Sequence, residues 1–234
     1  MRICVISPNT SKEFLREQEE GLKELKYVSV RGITKGPESV ECFYDDSLAA
    51  PPIIDVAQGA ERDGFDGIVI SCFFDPGLNS VREVVSIPVA SAGEASLHLA
   101  CSLGHKIGVV TTVENSIPVI EHLVRALGLD SRVVTVRAAS LGVLELDSGE
   151  LTVGALLRES LSAIKESKAD VIVLGCTGMT KVALLLQDRI REAGFDVPVV
   201  DPLRAALHWA ETLVDMKLRH SRLGYRKPPP KTRT

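Results

Sequence analysis

The feature that most constrains the fold of this chain is a near-repeat that divides it into two similar halves. A strand-like run ends at Ser7 and Cys72 follows 65 positions later, and the run that ends at Thr111 has the same spacing to Cys176. A duplicated α/β unit of about 100 residues packs naturally as two lobes related by a pseudo-two-fold axis. Equivalent residues meet near that axis, so Cys72 and Cys176 are expected to face each other.

Short apolar runs alternate with helical patterns along the chain, which predicts an α/β fold with mainly parallel sheets. The runs are apolar on both faces, as expected of strands that helices cover on both sides. Residues 64–71 resemble residues 168–175 in pattern, and residues 87–89 resemble residues 197–199. The predicted strands are residues 2–7, 27–32, 67–72, 89–92, 106–111, 132–138, 170–175 and 197–200.

Several predicted helices have recognisable ends. Asp75 followed by Pro76 predicts an N-cap and a first helical residue before a helix over residues 77–85. Helices over residues 119–127 and 181–193 are predicted to end where Gly128 and Gly194 follow them.

The repeat predicts two pseudo-symmetric, doubly wound lobes with the active site between them. We expect residues 1–94 to form the first lobe together with residues 201–220, which include a final helix over residues 203–218. Residues 95–200 are expected to form the second lobe. The basic, proline-containing tail over residues 221–234 is expected to be disordered.

Composition excludes several classes of protein. Hydrophobic residues make up 45% of the chain, charged residues 25%, and the formal net charge is -4, which fits neither a disordered chain nor a nucleic-acid-binding protein. The sequence shows no export signal and no apolar run of the roughly 20 residues that a membrane span needs. A cytoplasmic protein without membrane or nucleic-acid partners is therefore expected.

The five cysteines are odd in number and widely spaced, a pattern typical of free thiols and not of disulfides or metal sites. Cys72 and Cys176 each follow a predicted strand, at the sheet edge where α/β proteins bind ligands. A nearby helix N-terminus is expected to lower the thiol pKa towards neutrality. One thiolate and one thiol on opposite sides of a stereocentre can remove and return a proton, so the pair predicts racemase chemistry.

The intermediate of such a reaction needs hydrogen-bond donors directed at its oxygen atoms. Residues at the same sheet edge could supply them, although Asn9 is also suited to starting a turn and Thr111 to ending a strand. Cys4 and Cys101 are interpreted as packing residues and Cys42 as part of a loop. The candidate donors are the side chains of Asn9, Thr111 and Thr112 and the backbone amides of Phe73 and Thr177.

Five sequence blocks together resemble the hydantoin and allantoin racemases of the aspartate/glutamate racemase superfamily. The resemblance covers the chain up to about residue 214. The blocks are residues 7–11 (SPNTS), 36–41 (GPESVE), 72–78 (CFFDPGL), 110–112 (VTT) and 174–179 (LGCTGM).

This resemblance implies a two-lobed α/β isomerase that uses no metal or organic cofactor, acts on a small molecule and forms homo-oligomers. It implies that Cys72 and Cys176 are the catalytic acid/base pair. It also implies that five residues contact the substrate: Asn9, Phe73, Thr111, Thr112 and Thr177.

The sequence also departs from that family. The family often has asparagine where Ser7 stands and alanine where Thr177 stands, which leaves the substrate open between a hydantoin or allantoin-like compound and an amino acid such as aspartate or glutamate. The absence of an arginine cluster near the two cysteines disfavours a dicarboxylate. A decarboxylase or isomerase that uses one cysteine, and a non-enzymatic small-molecule binder, remain alternatives.

Overall fold

The structure, a computed structural model, describes residues 1–147 and 149–232. It contains two four-stranded parallel sheets with helices packed on them, which confirms the predicted α/β fold. All eight predicted strands are present, each one or two residues shorter than predicted. They are β1 (Ile3–Ser7), β2 (Val28–Gly32), β3 (Gly67–Ile70), β4 (Val89–Ser91), β5 (Ile107–Thr111), β6 (Val133–Ala138), β7 (Val171–Leu174) and β8 (Val199–Val200).

The two sheets have the same topology. Their strand orders are β2-β1-β3-β4 and β6-β5-β7-β8. The pairing register is also equivalent, since Ile3 lies opposite Gly67 in the first sheet and Ile107 lies opposite Val171 in the second. The repeat seen in the sequence is therefore a repeat in the fold, and it places Cys72 and Cys176 at equivalent positions, two residues beyond a central strand.

The central strands and the outer strands differ in burial. Every residue of β1, β3, β5 and β7 is buried, as continuous apolar runs predict. The outer strands β2 and β6 are only partly buried, so the expectation of two apolar faces is wrong for them. Edge position alone does not cause this, because β4 is also an edge strand and is buried at every residue, with three helices packed against it.

The α-helices in the described parts of the chain are α1 (Lys12–Leu22), α2 (Phe43–Arg62), α3 (Leu78–Val84), α4 (Ala92–Leu103), α5 (Ser116–Ala126), α6 (Glu150–Ser167), α7 (Ala183–Glu192) and α8 (Pro202–Asp215). They mostly lie where the sequence predicted them. A 3-10 helix over Thr177–Val182 replaces the expected first turn of α7, and Gly128 and Gly194 have positive φ angles after α5 and α7. None of these helices is long and apolar enough to cross a membrane.

The last helix and the segment after it pack against the first sheet. Helix α8 contacts β3 and β4 as well as α4. Beyond it, the ring of His220 accepts a hydrogen bond from the backbone of Val89, and Arg222 donates to the backbone carbonyl of Glu83 at the end of α3. The guanidinium of Arg222 thus satisfies carbonyls at the end of α3, while the disorder of the tail as a whole stays a prediction. The exact boundary between the lobes stays a prediction.

The ends of β5 and β7 approach each other closely at Gly175. The backbone N–H of Gly175 donates to the carbonyl of Val110 at 2.7 Å. A Cβ atom added to Gly175 would lie 2.7 Å from the Cβ of Thr111. That distance is too short for two carbon atoms, so only glycine fits between β7 and Cys176 without a backbone shift.

We therefore expect Gly175→Ala to lower the free energy of unfolding by about 1–3 kcal/mol, because the added methyl group overpacks a buried position. Urea denaturation measures the change. Gly154→Ala is the matched control: nothing lies within 4 Å of its Cβ position in α6, so it should stabilise the protein by about 0.5–1 kcal/mol. Equal stability of Gly175→Ala and the wild type would contradict the close approach.

Candidate active site

A single cavity brings the two cysteines together between the carboxyl ends of the sheets. Cys72 approaches from the end of β3 and Cys176 from the end of β7. None of the described residues that line the cavity has a charged side chain. The lining residues are Pro8, Asn9, Phe14, Val40, Ser71, Cys72, Phe73, Phe74, Thr112, Val143, Gly175, Cys176 and Thr177.

The surroundings of Cys72 disfavour its thiolate form. The residue is only 8% exposed, and burial raises the thiol pKa well above its ordinary value. The backbone amide of Phe74 acts in the opposite direction, while negative charge on Asp46, Cys176 and Asp75 raises the pKa further.

Cys176 has more favourable surroundings at the start of a 3-10 helix. Burial raises the pKa of its thiol to about 11, and backbone amides of Gly178 and Met179 partly offset this. The N–H of Gly178 lies 3.4 Å from the sulfur atom, and the charge of Glu41 acts with burial. The expectation of thiol pKa values near neutrality is wrong for both cysteines, because loss of water outweighs the donors in the turns.

Four of the five predicted substrate contacts lie at the cavity: Asn9, Phe73, Thr112 and Thr177. The Oδ1 of Asn9 accepts a hydrogen bond from the N–H of Ser11, so the residue also forms the turn that the sequence allowed.

Thr111 is the exception among the predicted contacts. Its side chain is fully buried, and its hydroxyl group donates to the carbonyl of Gly175 at 3.4 Å. It does not line the cavity. The structure therefore places Thr111 as a support for the strand end before Cys176, although the sequence had placed it with Thr112.

Hydrogen bonds between the two halves of the chain hold the cavity walls together. The hydroxyl of Thr177 donates to the carbonyl of Ser71 at 3.2 Å. On the other side, the carboxylate of Glu41 accepts a hydrogen bond from the N–H of Val143 at 2.7 Å. The backbone carbonyl of Glu41 accepts another from the hydroxyl of Ser116. Glu41, whose role the sequence left open, thus fixes the segment that supplies Val143 to the cavity.

Asp75 does not cap the helix that follows it. That helix, α3, begins only at Leu78, after Gly77 at a positive φ angle. The Asp75 carboxylate instead accepts the backbone N–H groups of Gly93 and Glu94 at 2.8 and 2.7 Å, in the first turn of α4. Asp75 is therefore the N-terminal cap of a helix 17 residues further along the chain.

Sequence reasoning missed four apolar residues of the cavity wall: Phe14, Val40, Phe74 and Val143. Phe14 lies in α1 and Val143 begins a 3-10 helix, so nothing in the repeat indicates them. Phe74, two residues after Cys72, had its position in the repeat as an available signal. The other cysteines are free thiols away from the cavity. Cys4 is buried in β1, as expected. Cys42 lies in the irregular segment just before α2, as the loop prediction indicated.

Comparison with known proteins gives a consistent result. Residues 3–210 match the family model described as Asp/Glu/hydantoin racemase. The chain is 35% identical to a hydantoin racemase from a Pseudomonas species, over 99% of this chain and 93% of that protein. Its structure resembles an allantoin racemase from Klebsiella pneumoniae with a TM-score of 0.91 and 30% identity, over 100% of this chain and 96% of the other. An allantoin racemase from Pseudomonas fluorescens gives a TM-score of 0.90 at 33% identity, with both chains fully covered.

Proposed function

The chain belongs to the Asp/Glu/hydantoin racemase family, and on that premise we propose that it is a cofactor-independent racemase of hydantoin-like or allantoin-like compounds. Cys72 and Cys176 are its acid and base. The observation that supports this assignment is the position of the two thiols, which reach one cavity from the equivalent ends of two sheets.

The proposed reaction needs only the two thiols and hydrogen-bond donors. One thiolate takes the proton from the ring carbon and becomes a thiol, and the electron pair of the broken C–H bond passes to the neighbouring carbonyl as an enolate. The opposite thiol then gives its proton to the other face of the carbon and becomes a thiolate. In this proposal the enolate oxygen is stabilised by the side chains of Asn9 and Thr112 and by the amides of Phe73 and Thr177.

The walls of the cavity favour an uncharged substrate. The described lining residues include no lysine or arginine, the side chains that bind carboxylates in pairs of hydrogen bonds. A hydantoin or allantoin ring is neutral and flat, and the rings of Phe14, Phe73 and Phe74 offer apolar faces to it. Aspartate or glutamate would bring two carboxylates into a cavity without a matching cation, so these substrates are disfavoured.

We expect Cys72→Ser and Cys176→Ser each to lower racemisation of allantoin or a 5-substituted hydantoin by at least about 100-fold, because a serine hydroxyl is a far weaker acid than a thiol. Polarimetry measures racemisation, and proton exchange in heavy water measures removal of the substrate proton. Cys101→Ser, which changes a thiol outside the cavity, is the matched control and should retain full activity.

Two results would contradict this assignment. Full racemisation by a folded Cys72→Ser or Cys176→Ser protein would remove the two-cysteine mechanism. Racemisation of aspartate or glutamate in preference to the neutral ring compounds would remove the proposed substrate class.

The raised thiol pKa values predict how the rate depends on pH. The free protein needs one thiolate, and below the thiol pKa the thiolate fraction grows about tenfold with each pH unit. Because burial raises the pKa of Cys176 to about 11 and that of Cys72 as well, kcat/KM should rise between pH 7 and 8.5. Initial rates corrected for uncatalysed racemisation test this, and a flat profile over that range would indicate a thiolate already formed at pH 7.

We also propose that the protein is cytoplasmic. Its five cysteines are free thiols, which suits the reducing cytoplasm.

The protein is further proposed to form homo-oligomers through an apolar groove between α4 and α8, where several large apolar side chains are exposed. They are Leu99, Leu103, Trp209 and Leu218.

We expect Trp209→Glu to shift the wild-type oligomer towards the monomer mass in light scattering, because a buried charge opposes association. Leu151→Glu is the matched control, since Leu151 is exposed on α6, outside the groove. A monomeric wild-type protein at micromolar concentration, or equal effects of the two substitutions, would contradict the proposed interface.

A further inference from the structure

Asp75 is a buried acidic residue next to the reacting cysteine that the racemase mechanism does not use. It is 8% exposed and has a φ angle of 58°. Its backbone N–H donates to the carbonyl of Cys72 at 3.2 Å and closes the turn formed by residues 72–75, which we call the Cys72 turn. The backbone of Asp75 is therefore part of the turn that positions the Cys72 sulfur atom.

The carboxylate clamps this turn onto α4. Its Oδ1 atom accepts the hydroxyl of Ser91 at 2.5 Å and the N–H of Gly93 at 2.8 Å, and its Oδ2 atom accepts the N–H of Glu94 at 2.7 Å. Three donors and the positive end of a helix favour the charged form, although burial raises the pKa of Asp75 to about 7. At pH 8 and above, the clamp holds a buried negative charge beside Cys72.

Gly93 allows the turn and the helix to touch. A Cβ atom at this position would lie 2.1 Å from the carbonyl oxygen of Phe73 and 3.0 Å from the Oδ1 of Asp75. The first distance is impossible for any side chain without moving backbone. The close contact between the Cys72 turn and α4 is therefore built into the fold by a glycine and an aspartate together.

The second half of the molecule has a related contact, but its carboxylate lies on the helix side. There the hydroxyl of Thr180 donates to Oδ1 of Asp201 at 3.0 Å, and Asp201 caps α8. In the repeat, Met179 stands where Asp75 stands, each three residues beyond its cysteine. The backbone amides of Gly178 and Met179 lower the pKa of Cys176 and the charge of Glu41 raises it, whereas Cys72 has one such amide and two carboxylates near it. The two thiols thus occupy equivalent positions in the fold but unequal electrostatic surroundings.

We propose that Asp75 is a positioning residue that holds the Cys72 turn on α4 and adds to the burial that keeps Cys72 a thiol, so that Cys176 carries the charge when one thiol of the pair is ionised. The proposal rests on the proposed two-cysteine function but goes beyond it. It means that the ionised protein first accepts the enantiomer whose proton points at Cys176. The opposite enantiomer must wait for a proton to be transferred between the thiols or with solvent.

The ionisation of each thiol can be measured without a substrate. Iodoacetamide alkylates thiolates, so its rate at each cysteine of the full-length protein, followed by peptide mass spectrometry across pH 7 to 11, gives each ionisation curve. We expect Cys176 to ionise at lower pH than Cys72. The groups that face Cys72 and titrate or carry charge are Asp46 from α2, Asp75 and Cys176.

Asp75→Asn tests the role of the carboxylate. Asparagine keeps an oxygen for Ser91 and Gly93 and removes the charge. The ionisation curve of Cys72 should therefore move to lower pH, with several-fold faster alkylation of Cys72 at fixed pH. The Cys176 curve should stay in place. Asp188→Asn, which neutralises an exposed carboxylate on α7, is the matched control and should move neither curve.

Turnover gives a second readout that a purely structural role would not produce. The two enantiomers have equal free energies, so kcat/KM must stay equal in both directions in every variant. Removing the Asp75 charge should nevertheless change kcat and KM unequally for the two enantiomers, because it alters how the ionised fraction is divided between the two thiols. A general loss of folding would lower both kcat values together.

The outcomes separate this proposal from the proposed function. Earlier ionisation of Cys72 than of Cys176 in the wild type, or an unmoved Cys72 curve in Asp75→Asn, would overturn the role of Asp75 even if the protein racemises its substrate. If Asp75→Asn does not fold, the wild-type order of ionisation decides alone. Loss of the two-cysteine function would instead be seen in the serine variants.

Discussion

Parallel pairing makes every strand of a sheet end at the same edge, and the site depends on this constraint. In each sheet the central strands β1 and β3, or β5 and β7, are buried completely and paired in equivalent register. Chain segments that leave those strands must turn at the carboxyl edge. Two such edges face one cavity, so two cysteines more than one hundred residues apart in sequence both line it.

The cost of this arrangement is electrostatic. A thiol that leaves water becomes a weaker acid, and both cysteines show that effect. A weaker acid is a stronger base once ionised, which would suit the proton removal that we propose. In that proposed reaction the uncharged walls would strengthen every hydrogen bond to the enolate, because little water screens it. The same burial lowers the fraction of thiolate at neutral pH.

Much of this could be predicted from the sequence, because local patterns determine it. The eight strands follow from short apolar runs, and Cys72 and Cys176 follow from equal spacing after matched runs. Their pKa values could not be predicted, since the turns reveal the amide donors but not the loss of water around the sulfur atoms. Thr111 was misplaced because the direction of a hydroxyl group at a strand end depends on its neighbour, here Gly175.

Long-range hydrogen bonds were also beyond the sequence. Aspartate before proline is typical of a cap for the next helix, yet Asp75 caps α4 because the chain reverses between them. Arg222 belongs to a basic, proline-containing tail, and nothing local indicates that α3 would supply carbonyl partners for it. Glu41 acquires its role only when Val143, from the other half of the chain, lies beside it.

The dependence of α4 on a remote cap has a consequence for how the protein forms. Ser91, the residue at the N-terminus of α4, makes no capping hydrogen bond of its own, so the first amides of the helix lack a partner until the turn after β3 is in place. Helix and turn must then become ordered as one cooperative unit. In hydrogen exchange, the amides of Gly93 and Glu94 would exchange only when the Cys72 turn also opens. The lifetime of the cavity wall at Cys72 is therefore coupled to the protection of α4, a helix outside the cavity.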